Sequence, residues 1–156
     1  MSESNSATAS ENFDPALWVW GSDDTQPRFL HTMIRVREFE PALRFYIEGI
    51  GMKVLSRFSV PVRRVDAMFI GYADYAQGGM LELVRLWDHD GPHTHGSGFG
   101  HISVSAPDLE ATVAKLQGMG VEVITPPTVL VAGGPRVAFV KDFDGYAIEL
   151  IQTCRK

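Results

Sequence analysis

Apolar and polar positions along this chain follow two periods, and the periods succeed one another in a fixed order. "RFLHTMIRV" at 28–36 alternates with a period of two and predicts a strand. "EPALRFYIEGIGM" at 40–52 shifts to helical spacing, with Pro41 suited to a first turn and Gly49 and Gly51 ending the helix. "KVLSRFSV" at 53–60, "RRVDAMFIGY" at 63–72 and "MLELVRLW" at 80–87 read as three further strands, separated by Pro61 and by "ADYAQGG". The order then repeats. "GFGHISVSA" at 98–106 predicts a strand and "PDLEATVAKLQGMG" at 107–120 a helix. In that helix Asp108 is placed to cap, and Leu109, Val113 and Leu116 fall on one stripe. "VEVITP", "PRVAFVKD" and "YAIELIQ" predict the last three strands, the final two joined by a "DFDG" turn.

The chain therefore reads as an α+β protein of two βαβββ modules, about 29–88 and 98–152, within one domain at 29–152. Residues 1–28 are predicted to form a flexible leader. Its one apolar piece, "ALWVW" with Trp18 and Trp20, is expected to pack on the domain that follows, with a contact to a partner chain as the alternative.

The repeat gives four ionisable residues a shared meaning. His31 and His101 lie in the first strand of each module, 70 residues apart, and Glu82 and Glu149 in the last strand of each, 67 apart. Alternation groups His31 with Met33 and Arg35, His101 with Ser103 and Ser105, Glu82 with Met80, Val84 and Leu86, and Glu149 with Ala147 and Ile151. An unpaired charge on such a half-apolar face is costly. A divalent cation removes the cost. Two imidazoles and two carboxylates form an N₂O₂ donor set that suits Ni²⁺, Co²⁺, Mn²⁺ or Zn²⁺ and leaves positions for water or substrate oxygens.

Composition narrows the function classes. The 156 residues carry a formal charge of −5, which argues against a duplex nucleic-acid binder. No apolar run approaches the roughly 20 residues of a membrane span. The start shows no basic stretch followed by an apolar one, and Cys154 is the only cysteine, so a reducing, cytoplasmic setting is expected. Cys154 is read as an ordinary C-terminal residue. Arg63 and Arg64 are read as surface charge, and His89, His93 and His95 as members of a solvated Gly/Pro loop.

"FLHTMIRV", "ALRFYIEGIGMKVL", "MLELV", "GFGHISVS" and "VAFVKDFDGYAIELIQ" together resemble the vicinal oxygen chelate superfamily, and within it the glyoxalase I (lactoylglutathione lyase) family. The resemblance covers about residues 29–152. It implies metal ligands His31, Glu82, His101 and Glu149, and a homodimer whose metal sites lie across the interface. It implies one divalent metal per site, with Ni²⁺ or Co²⁺ favoured over Zn²⁺ by the short connection from Glu82 to His101. The implied reaction isomerises the hemithioacetal of a 2-oxoaldehyde, methylglyoxal with glutathione as co-substrate, through an enediolate. Glu149 is the implied main base and Glu82 an assisting one. Arg35 matches an arginine used near the glutathione carboxylate. Leu86 and Ala132 stand where the family often carries asparagine and lysine, and Phe143 where proline is usual.

Other readings within the same fold are an epimerase of acyl thioesters, a ring-cleaving dioxygenase and a non-catalytic small-molecule-binding module. A fourth ligand, Glu82, argues against the dioxygenase, and the complete donor set against the binding module.

Overall fold

The computed structural model describes Pro27 and residues 29–73 and 79–153. The expected leader with Trp18 and Trp20, and Cys154, lie outside the described residues. The elements follow the predicted order: β1 (His31–Arg35), α1 (Phe39–Leu43), β2 (Lys53–Val60), β3 (Val65–Gly71), β4 (Met80–Leu86), β5 (Ile102–Ala106), α2 (Leu109–Gly118), β6 (Val123–Val129), β7 (Arg136–Lys141) and β8 (Ala147–Gln152). They build two four-stranded sheets of the same topology, β1-β4-β3-β2 and β5-β8-β7-β6. In each, the first strand pairs in parallel with the last, and the remaining pairs are antiparallel.

By internal packing the chain forms two units. The first holds β1 to β4. β3 is buried along most of its length, and Phe69 and Met80 form an apolar cluster against which Leu55 and Phe58 pack. The loop from β2 to β3 is a single tight turn at Pro61–Arg63, and Arg64 closes it with φ of 53°.

The second unit holds β5 to β8, α2 and also the helical segment 36–51 of the first repeat. This segment continues past α1 as Arg44–Gly49, where the helix widens and Ile50 N–H donates five residues back to Phe45 O. It packs on α2. Arg44 Nη2 donates to Met119 O at 3.0 Å and Lys115 Nζ to Glu48 O at 2.5 Å. Gly49 faces Leu116 closely: a Cβ there would lie 2.8 Å from Leu116 Cδ2, so the leucine would have to shift to admit a side chain. α2 starts as expected, with Asp108 Oδ1 accepting from Ala111 N at 3.1 Å, and buries Leu109, Val113 and Leu116.

One strand runs further than its sequence pattern predicts. β6 continues through Pro126 and Pro127 to Val129. It is an edge strand, its register shifts between Thr125 and Thr128, and an edge tolerates the missing prolyl donors. The β7–β8 turn is the expected "DFDG". Asp142 Oδ1 accepts from Asp144 N at 3.0 Å and Tyr146 N at 2.8 Å, and Gly145 adopts φ of 89°. Phe143 packs against Phe45, with the Arg44 guanidinium over its ring. Arg37 ties the helical segment to the same turn, donating from N and Nε to Asp144 Oδ1 and from Nη2 to Phe143 O.

Candidate functional site

Each sheet brings one histidine and one glutamate together. In the first unit the parallel β1–β4 ladder sets Met33 opposite Glu82, and His31 Nε2 lies 3.3 Å from Glu82 Oε2. In the second, the β5–β8 ladder sets Ser103 opposite Glu149, and His101 Nε2 lies 3.3 Å from Glu149 Oε2. The glutamate side chains are 19% and 16% exposed and the histidines 31% and 45%, so each pair sits at the surface of its sheet with the carboxylate sunk deeper. Among the described residues no three or more His, Cys, Asp or Glu side chains gather where they could hold a metal ion. The chain supplies pairs.

The pairs fit two ligands of one cation. Ligand atoms about 2.1 Å from a common ion and about 90–110° apart are separated by about 3.0–3.4 Å, the spacing of each Nε2–Oε2 pair. The chemistry agrees, since imidazole nitrogen and carboxylate oxygen are the borderline and hard donors of first-row divalent ions. His31 Nδ1 is buried without a hydrogen-bond partner among the described residues.

Both histidines stand edge-on to a phenylalanine of the strand beyond the glutamate's, which pairs antiparallel with it. His31 meets Phe69 at 5.2 Å and 76°, and His101 meets Phe139 at 5.4 Å and 81°. Each phenylalanine is also the ladder partner of the glutamate, Phe69 of Glu82 and Phe139 of Glu149. Sequence reasoning missed this pair. The signal was present, because Phe69 and Phe139 recur at the same interval of 70 residues as the histidines.

The two glutamates differ in surroundings. Burial raises the Glu82 carboxyl above its ordinary value, opposed by the nearby charges of His31 and Arg63. Glu149 accepts a hydrogen bond from Ser103 Oγ at 2.5 Å through Oε2, the oxygen that faces His101. Sequence alternation had placed Ser103 on this face without assigning it a task.

The other candidates take these places. Arg35 is exposed and on the His31 side of β1, three strand positions from Thr32 and one short of buried Val36. Leu86 is half-buried at the end of β4 on the face of Glu82. Ala132 lies in the β6–β7 hairpin tip beside Leu130 and Val131, which are 61% and 71% exposed. Arg136 is engaged in an ion pair with Glu110. Arg64 pairs with Asp88 and lies over the Trp87 ring, as surface charge. His95 departs from the expected solvated loop: it stacks on Tyr146 with centroids 3.9 Å apart and meets Phe99 edge-on. The neighbouring aromatic surface, invisible in the loop's own composition, draws the ring in.

Comparison with known proteins places the chain in a family. A family model described as the glyoxalase/bleomycin resistance protein/dioxygenase superfamily matches residues 28–150. A "Probable lactoylglutathione lyase" of Synechocystis sp. is 38% identical over 127 residues, 81% of this chain and 96% of that one. The lactoylglutathione lyase of Neisseria meningitidis is 38% identical over 125 residues, 80% and 90% of the two chains. Among solved structures, the trypanothione-dependent glyoxalase I of Leishmania major superposes with a TM-score of 0.71 at 34% identity, over 81% of this chain and 87% of that one.

Proposed function

The chain belongs to the glyoxalase/bleomycin resistance protein/dioxygenase superfamily, and we propose that it is a glyoxalase I-like lyase. It would convert the hemithioacetal of methylglyoxal and glutathione to the 2-hydroxyacyl thioester. The observation that carries this reading is the duplicated His–Glu pair, each with Nε2 and Oε2 at 3.3 Å. The relatives' shared name supports it.

His31 and Glu82 of one chain, with His101 and Glu149 of a second copy, would hold one divalent metal in a homodimer. Ni²⁺ or Co²⁺ is favoured and Zn²⁺ second. When bound, the ion supplies Lewis-acid polarisation to two vicinal substrate oxygens. The chain's residues do the rest. The Glu149 carboxylate takes the proton from C1 of the hemithioacetal and returns it to C2, while the C1 hydroxyl proton passes to the C2 oxygen, so substrate and product are isomers that differ only in where their hydrogens sit. Glu82 assists, serving the opposite stereoisomer. Phe69 and Phe139 limit water around the glutamates. Arg35 pairs with a carboxylate of the thiol co-substrate. A cytoplasmic setting, where that thiol is held reduced, suits this chemistry. Among the described residues no helix is long and apolar enough to cross a membrane.

One observation favours a less polar thiol: Leu86, which stands where the family often carries asparagine, is half-buried on the Glu82 face. The deciding experiment offers methylglyoxal with glutathione, or with a less polar thiol, to protein loaded with Ni²⁺, Co²⁺ or Zn²⁺. Formation of lactoylglutathione is expected. Protein that binds metal stoichiometrically but turns over only the less polar adduct would replace glutathione. Protein that binds no metal would overturn the assignment.

A further inference from the structure

The two half-sites look equivalent, and one hydroxyl distinguishes them. In the β1–β4 ladder the residue opposite Glu82 is Met33, and in the β5–β8 ladder the residue opposite Glu149 is Ser103. Met33 has no hydrogen to donate. Ser103 donates to Glu149 Oε2 at 2.5 Å, and the same oxygen lies 3.3 Å from His101 Nε2. Ser103 is exposed, so the core does not require it; valine or threonine would serve the strand as well.

We propose that Ser103 is a positioning residue for Glu149: its hydroxyl anchors Oε2 toward His101 and leaves Oε1 to handle the substrate proton. The proposal rests on the reading of Glu149 as ligand and base. A glutamate side chain has three rotatable bonds, and ordering a long side chain costs up to about 1.5–2 kcal/mol. A hydrogen bond to an ionised acceptor is about twice as strong as a neutral one, which offsets much of that cost before metal or substrate arrives. Fixing one oxygen also fixes the other. Oε1 carries no hydrogen bond among the described residues, and with Oε2 held it points in a defined direction. Glu82 has no such tether from its ladder neighbour. The pseudo-symmetric site is thereby made asymmetric, with one carboxylate standing ready and one needing to be ordered at each turnover.

Partners that orient metal ligands typically contribute about 10–100-fold to metal affinity or activity. The test compares Ser103→Ala, Ser103→Thr and Ser105→Ala in the full chain. Ni²⁺ affinity is measured by competition with a chromophoric chelator, alongside kcat, KM and the melting temperature of metal-free protein. Ser103→Ala is expected to weaken Ni²⁺ binding about tenfold and to lower kcat with KM little changed, at an unaltered metal-free melting temperature. Ser103→Thr, which keeps the hydroxyl, is expected to restore both. Ser105→Ala, two residues along the same strand face, is expected to leave both at the wild-type level. Ser103→Ala with wild-type affinity and wild-type kcat would overturn the positioning role alone. A wild-type chain that takes up no Ni²⁺ would overturn the premise and this role together.

Discussion

Tyr46 donates its phenolic hydrogen to Asp142 Oδ2 at 2.7 Å, joining the helical segment of the first repeat to the β7–β8 turn of the second. Tyr46 is fully buried and Asp142 is 5% exposed. Asp142 uses its other oxygen to accept from Asp144 N and Tyr146 N. Removing one partner of a buried hydrogen bond leaves the other uncompensated. Tyr46→Phe is expected to destabilise the fold by about 1–3 kcal/mol, read as a lower urea midpoint at unchanged m-value. Asp142→Asn keeps an acceptor for both backbone donors and a donor for the phenol oxygen, so it should cost less than Tyr46→Phe. Asp142→Ala should cost most.

The same pair sets a pH dependence. Burial raises the Asp142 carboxyl above its ordinary 3.8, although the bonds from Tyr46, Tyr146 and Asp144 act in the opposite direction. Burial, with Asp142 beside it, raises the Tyr46 phenol well above 10.0. In both cases the folded state holds the proton more tightly than the unfolded state. Each contribution is therefore complete below the unfolded value and is lost as pH rises from that value through the folded one. Chemical denaturation at stepped pH should show stability of the metal-free protein falling as pH climbs out of the ordinary carboxylate range, and again above the ordinary phenol value. Asp142→Asn should flatten the first decline. A wild-type profile that rises across that range would contradict the direction.

Mixing experiments address the assembly. Chains carrying His31→Ala and chains carrying His101→Ala should each be inactive alone. If each site draws one pair from either chain of a two-fold dimer, refolding an equal mixture gives half heterodimers, each with one intact site. About a quarter of wild-type turnover should return. A mixture as inactive as its components would place all four residues in one chain's own site.

The proton step is tested by charge removal without loss of shape. Glu149→Gln keeps the length of the side chain and an acceptor for Ser103 but removes the base. Turnover should be abolished, with far-ultraviolet circular dichroism and the melting temperature close to wild type. Glu82→Gln should retain a measurable rate. Full activity in Glu149→Gln would assign the proton to another group.

Chelation should act on activity and stability together. A ligand that binds only the folded state stabilises it in proportion to the logarithm of its excess over Kd. Stripping metal should abolish turnover and lower the melting temperature, and adding Ni²⁺ or Co²⁺ should restore both. Restoration of activity without any gain in melting temperature would argue that the ion acts away from the folded site.

Much of this protein was legible from local pattern. The alternation that placed His31 with Met33, and His101 with Ser103, is a property of any extended backbone, and so is the stripe of Leu109, Val113 and Leu116 in a helix. The 70-residue interval shared by the histidines, and by Phe69 and Phe139, needed only comparison of the two halves. Element order, faces and the four candidate ligands follow from such short-range rules.

Partnership across the chain followed from tertiary structure alone. Nothing in "SVS" announces that the Ser103 hydroxyl meets a carboxylate 46 residues away, because that depends on the parallel register of β5 on β8. Nothing in "RFYIEGIG" announces that the first helical segment packs with α2, since its apolar stripe would suit either sheet. The Tyr46–Asp142 bond and the stacking of His95 on Tyr146 have the same origin. Periodicity sets which side of an element is buried, whereas only the closed fold, where burial and hydrogen-bond satisfaction are settled together, decides what lies against it.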